Sequence, residues 1–104
     1  MIVYVQKNYQ QKLTLEDISQ TGSVSKTTCH NIFSKYVNQS PNAYLTEYRL
    51  RNGMELLRTT DMTVTEIAFE VGFSGPSYFS ESFRKIFGMS PLEYRRRNKR
   101  EGLL

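Results

Sequence analysis

Residues 72–94 read GFSGPSYFSESFRKIFGMSPLEY, and residues 23–44 read SVSKTTCHNIFSKYVNQSPNAY. The two stretches keep apolar residues at most of the same places and change most of the polar letters. Phe33 pairs with Phe83, Lys35 with Lys85, Ser40 with Ser90, Pro41 with Pro91 and Tyr44 with Tyr94, all at an offset of 50, whereas Ile18 pairs with Ile67 at 49. One residue has therefore been added in the second turn. A scaffold written twice under a varied surface implies one structural unit put to two related uses.

The spacing says what the unit is. Cys29, Ile32, Phe33, Tyr36 and Val37 stand at i, i+3, i+4, i+7 and i+8, which is the apolar stripe of a helix with one buried face. Phe79, Phe83, Ile86 and Phe87 repeat that spacing. A shorter helix precedes each. Thr14 with Asp17 forms a capping box that opens a helix carrying Leu15 and Ile18, ahead of the turn TGSVS. Thr63 with Glu66 opens another, with Val64, Ile67, Ala68 and Val71 as its stripe and Gly72 as its stop.

The sequence Ser40-Pro41, an N-cap followed by proline at the first helical position, starts a longer helix to about Arg58 with Leu50, Met54 and Leu57 on one side. Ser90-Pro91 opens a last short helix with Leu92 and Tyr94. At the start, Ile2, Val5 and Tyr9 predict a first helix that ends before the polar run QKNYQQK. No stretch alternates with a two-residue period between turn signals, so the chain reads as all-α. Each copy is a short helix, a tight turn and a longer helix, the organisation of a helix-turn-helix motif. Two copies are too few for a stacked repeat array, which needs roughly three.

Composition narrows the uses. A chain of 104 residues buries roughly 60–70% of its unfolded surface, enough for one domain or two small subdomains. No apolar run reaches the roughly 20 residues of a membrane helix, and the start MIVYVQKNYQ is too short and too polar for a signal peptide. The expectation is a cytoplasmic protein with no membrane partner. One Cys and one His exclude a disulfide framework and a zinc site, so no metal or cofactor is expected. Cys29 and His30 are adjacent, so on a helix they diverge by about 100° and cannot act as nucleophile and base. Cys29 instead belongs to the apolar stripe as a reduced core residue. With no glycine-rich phosphate loop and no paired carboxylates, an enzyme is not expected.

The net charge of +4 suggests an anionic partner, but its distribution matters more. Arg95, Arg96, Arg97, Lys99 and Arg100 supply five of the fourteen basic residues, and such a tail also reads as a solvated chain end. Between Asp17 and Glu47 there is no acidic residue, while Lys26, His30 and Lys35 fall there. A segment inside the fold has been cleared of negative charge.

With the stripes inward, Lys26, Thr27, His30, Asn31 and Ser34 share the outward face of the first long helix. The outward set of the second is Gly75, Pro76, Ser77, Ser80, Glu81 and Arg84. Both faces hold short or hydrogen-bonding side chains near a helix N-terminus, where a recognition helix meets base edges in the major groove. Polar solvent faces on two amphipathic helices would look alike, but duplication of the whole motif with a varied surface fits two half-sites of different sequence. The rival reading is a helical protein-interaction module without DNA binding, which weak salt dependence of partner binding would favour.

The motifs LTLEDIS, SKTTCHNIFSKY, YRLRNGMELL and TVTEIAFEVGFSGPSYFSESFRKIFGMSPLEYR resemble the DNA-binding domain of the AraC/XylS family of bacterial transcription regulators over about residues 2–97. The resemblance implies about seven helices in a homeodomain-like arrangement: a first helix-turn-helix subdomain at about 2–39, a linking helix at about 41–58, a second subdomain at about 62–97, and a basic tail at 95–104. It also implies double-stranded DNA as partner, with RNA polymerase as a second. A sensing, dimerising or receiver domain would precede this unit in the full-length protein. By matching position, Thr27, His30 and Asn31 would read bases in the first subdomain, and Pro76, Ser77, Ser80 and Glu81 in the second.

The sequence departs from the family pattern at three places. The positions of Asn31 and Glu81 often hold basic residues in the family; asparagine prefers adenine, and glutamate either accepts from cytosine or pairs with Arg84 or Lys85 along its own helix. Gly53 stands where alanine is usual, in the middle of the linking helix, which costs about 1 kcal/mol and predicts a soft bridge that Gly53→Ala would stiffen.

Overall fold

The computed structural model describes residues 1–102, and the side chains of residues 1–99. Seven helices follow in order: α1 (Ile2–Asn8), α2 (Leu15–Thr21), α3 (Lys26–Val37), α4 (Pro41–Thr59), α5 (Val64–Glu70), α6 (Pro76–Phe87) and α7 (Pro91–Gly102). The described residues contain no strand. The chain divides into two compact units, Met1–Tyr48 and a second beginning at Arg49, with the boundary inside α4. Helix α1 runs on through Asn8 rather than ending before the polar run. Its exposed Gln6 and Lys7 can face solvent while Tyr4 and Val5 turn inward.

In the first unit, the Asp17 amide donates to Thr14 Oγ1 and the Thr14 amide to Asp17 Oδ2, both at 3.0 Å, and this closes the expected capping box. Helix α2 ends at a turn in which Ser23 takes φ 54°, and the Val24 amide donates to Ser19 O at 3.2 Å. Ser25 then caps α3 by accepting from the Thr28 amide at 3.1 Å. Val5, Ile18, Cys29, Phe33 and Leu45 form the core, with Tyr44 edge-on to Phe33 at 5.7 Å. Burial pushes the Cys29 thiol up.

The second unit repeats this with larger side chains. Its capping box joins Thr63 and Glu66. Its turn places Gly72 at φ 100° and buries Phe73, whose amide donates to Ala68 O at 2.9 Å. The added residue lies in this turn, because α2 and α5 are offset by 49 residues and α3 and α6 by 50. Rings link in sequence: Phe73 to Phe79 at 5.3 Å, Phe79 to Phe83 at 5.8 Å, and Phe83 to Tyr94 at 5.8 Å.

Four further sequence expectations need correction. A Cβ on Gly53 would stand 2.7 Å from Phe79 Cε1 and 2.9 Å from Cζ, so this glycine is a packing requirement and not a soft point. Tyr36 and Ile86 belong to the apolar stripes by spacing but are 71% and 45% exposed. In the same last turns Val37 and Phe87 are half-buried, so the covered face narrows to their side and leaves Tyr36 and Ile86 outside it. Leu92 is likewise exposed on α7, and that helix is not short.

The basic tail is the fourth. Helix α7 continues into it as far as Gly102, and Arg95 turns inward to donate from Nε to Leu57 O at 3.0 Å and from Nη2 to Thr60 O at 3.1 Å. It satisfies carbonyls at the end of α4 that the helix itself leaves unpaired. Arg96, Arg97 and Lys99 are exposed, and Lys99 comes within 4.0 Å of Asp61 at the surface. The side chain of Arg100 and residues 103–104 lie outside the described residues.

Candidate nucleic-acid interface

Each long helix has the same burial rhythm. Cys29 and Phe33 turn inward from α3, and Phe79 and Phe83 from α6, which leaves the intervening positions outside. On α3, Lys26, Thr27, His30, Asn31 and Ser34 are all exposed. The first four, with Leu15 of α2, line a shallow hollow of about 270 Å³. Ser34 lies one turn further on, outside that hollow.

On α6, Ser77, Glu81 and Arg84 are exposed, while Gly75, Pro76 and Ser80 are half-buried. A hollow of about 290 Å³ is lined by Ser80, Glu81, Arg84 and Lys85. Gly75, Pro76 and Ser77 occupy the N-cap and first turn beside it. The two hollows share two positions at the offset of 50, His30 with Ser80 and Asn31 with Glu81. Sequence reasoning missed Leu15 and Lys85. Leu15 counted only as a stripe residue, and Lys85 only as a letter kept between the copies and a candidate partner for Glu81.

The faces differ in charge. The α3 face carries Lys26 and no carboxylate, since Glu16 and Asp17 stand on α2 and Asp17 is tied to Thr14. The α6 face combines Glu81 with Arg84 and Lys85. Beside it, hydrogen bonds from Ser90 hold the Glu93 carboxyl below its ordinary range, and the charges of Arg84 and Arg97 lower it further. A polar, donor-rich helix face over a shallow hollow suits base edges better than it suits catalysis.

A model of the helix-turn-helix domain family matches residues 18–97. A transcriptional regulator from Chromobacterium violaceum, of the AraC-type DNA-binding kind, superposes with a TM-score of 0.88 at 28% identity over 93% of this chain and 87% of that one. The chain belongs to the AraC-type helix-turn-helix family. The C-terminal domain of AraT, a response regulator from Geobacillus stearothermophilus, is 36% identical with a TM-score of 0.84, covering 89% of this chain and 78% of that one. The uncharacterized HTH-type transcriptional regulator YdeC of Bacillus subtilis is 35% identical over 98 residues, which span 94% of this chain and 34% of that protein. The chain thus spans about a third of the length of the curated relatives it matches. AraC-type membership makes it a DNA-binding domain and not an enzyme. Among the described residues, no helix is long and apolar enough to cross a membrane.

Proposed function

We propose that this domain binds double-stranded DNA sequence-specifically for a bacterial, cytoplasmic transcription regulator, with α3 and α6 each reading one of two successive major grooves. One observation carries the reading: two helices with the same buried positions at an offset of 50 present different exposed letters everywhere but at Lys35 and Lys85. Thr27, His30 and Asn31 are the base readers of the first half-site, with Lys26 and Ser34 beside them. Pro76, Ser77, Ser80 and Glu81 are those of the second, with Gly75 and Arg84 flanking. Asn31 pairs bidentately with adenine N6 and N7. Arg96 and Arg97 offer charge to phosphates, which hold the protein without reading sequence.

RNA polymerase is the second partner on this proposal, since a regulator bound beside a promoter acts on the enzyme that starts there. The greater length of the relatives supports a further sensing, dimerising or receiver domain in the full-length protein. Footprinting on a selected site tests the DNA reading: protection should cover two major-groove segments about 34 Å apart on one duplex face. Protection of a single segment of about 5 base pairs would overturn it. Binding with little salt dependence would instead support a protein-interaction module.

A further inference from the structure

The second reading face carries a carboxylate where the first carries an amide. Glu81 and Asn31 hold the same register, 50 residues apart, and each lines the hollow on its own helix. Glu81 is exposed, and among the described residues neither Arg84 nor Lys85 forms an ion pair with it, although both share its hollow. Its oxygens are therefore open to whatever enters. An ionised carboxylate can only accept hydrogen bonds. Bringing it against DNA strips its water and sets it in the negative field of the phosphates, a penalty on every sequence.

Only a base that supplies a donor offsets that penalty. In the major groove, cytosine presents its N4 amino group with only C5–H beside it on its own edge, and the O6 acceptor of its paired guanine lies on the far side. Adenine sets its N6 amino group beside the N7 acceptor, which faces the second carboxylate oxygen. Guanine presents acceptors alone, and thymine an acceptor and a methyl group. Resting on the proposal that α6 reads bases, we infer that Glu81 is a specificity gate: it admits cytosine at one position of the second half-site and rejects the other three bases. Its action is mainly exclusion. Asn31 works in the opposite sense, because an uncharged amide with both donor and acceptor gains on adenine without an equal penalty elsewhere. Asn31 then discriminates by what it gains on its preferred base, and Glu81 by what it excludes.

The experiment measures binding of wild type, Glu81→Ala and Glu81→Gln to a site selected by the wild-type protein from random DNA. Variants of that site carry each of the four bases at every position of the second half, and scrambled DNA serves as reference. Wild type should prefer cytosine at one position by about 5- to 100-fold. Glu81→Ala should lose that preference and bind scrambled DNA several-fold more tightly, with an unchanged thermal midpoint. Glu81→Gln should move the preference from cytosine to adenine, since its amide pairs with N6 and N7. If Glu81→Ala weakens binding to every DNA alike, or if either variant keeps the cytosine preference, the gate is overturned while the DNA reading stands. If wild type binds selected and scrambled DNA equally, the DNA reading falls, and the gate with it.

Discussion

Cys29 and Phe79 hold the same register in the two copies, both fully buried, yet one is a small thiol and the other a full aromatic ring. The ring is admitted because α4 carries no side chain at Gly53, where a Cβ would meet it at 2.7 Å. The turns differ in the same direction. Ser23 takes φ 54° where the second copy has Gly72, and Asn38 takes φ 56° where it has Gly88. The second unit thus spends its glycines where backbone or ring needs room, and the first does with small side chains and tolerated left-handed residues. Duplication keeps the periodicity and the caps, but each copy has solved its own packing.

The comparison is broken most severely at Gly53. Gly53→Ala should lower stability by about 1–3 kcal/mol through overpacking, read as a drop in thermal midpoint. In a Phe79→Leu background the same change should cost clearly less, and equal losses in both backgrounds would dissociate Gly53 from Phe79. Next comes Arg95→Met, which leaves carbonyls of Leu57 and Thr60 without their donor and should cost about 1–2 kcal/mol in a denaturant titration. Ser23→Gly should sharpen the likeness of the turns and stabilise the first unit by about 0.5–1 kcal/mol.

Much of the fold was legible because its signals are local. The boxes Thr14–Asp17 and Thr63–Glu66, the Ser-Pro starts and the 49 and 50 offsets all lie within a few residues or follow by simple comparison. What was not legible depends on distant partners. Gly53 reads as a weak helix residue until Phe79 stands over it, and Arg95 reads as a tail charge until its carbonyls, 38 and 35 residues away, are seen. Tyr36 and Ile86 obey the helical period, but the period does not reveal how narrow the covered face becomes in the last turn, where Val37 and Phe87 are half-buried. At the candidate site, the outward set of α3 was legible from the same period that placed the core, and that of α6 only in part, since Gly75, Pro76 and Ser80 are half-buried. The membership of Leu15 and Lys85 in the hollows was not, because α2 contributes one wall and the repeat hid the other.

A smaller effect separates the copies by pH. Glu93 accepts from Ser90 at the start of α7, whereas Ala43 fills the corresponding place after Ser40 in α4. Hydrogen bonds hold the Asp17, Glu66 and Glu93 carboxyls below their ordinary values of 3.8, 4.5 and 4.5. A lowered folded-state value means stability present above the ordinary carboxylate range and lost as pH falls through it. Thermal midpoints should therefore decline below about pH 5, and Glu93→Gln should flatten that decline slightly.

The central claim is that one scaffold carries two independent reading faces, and site selection with Asn31→Ala tests it most directly. Sequences selected from random DNA by wild type and variant should differ at one adenine of one half-site only. Affinity for the wild-type site should fall by about 1–3 kcal/mol, with much less change on scrambled DNA. Loss spread over both half-sites, or equal loss on selected and scrambled DNA, would contradict the claim.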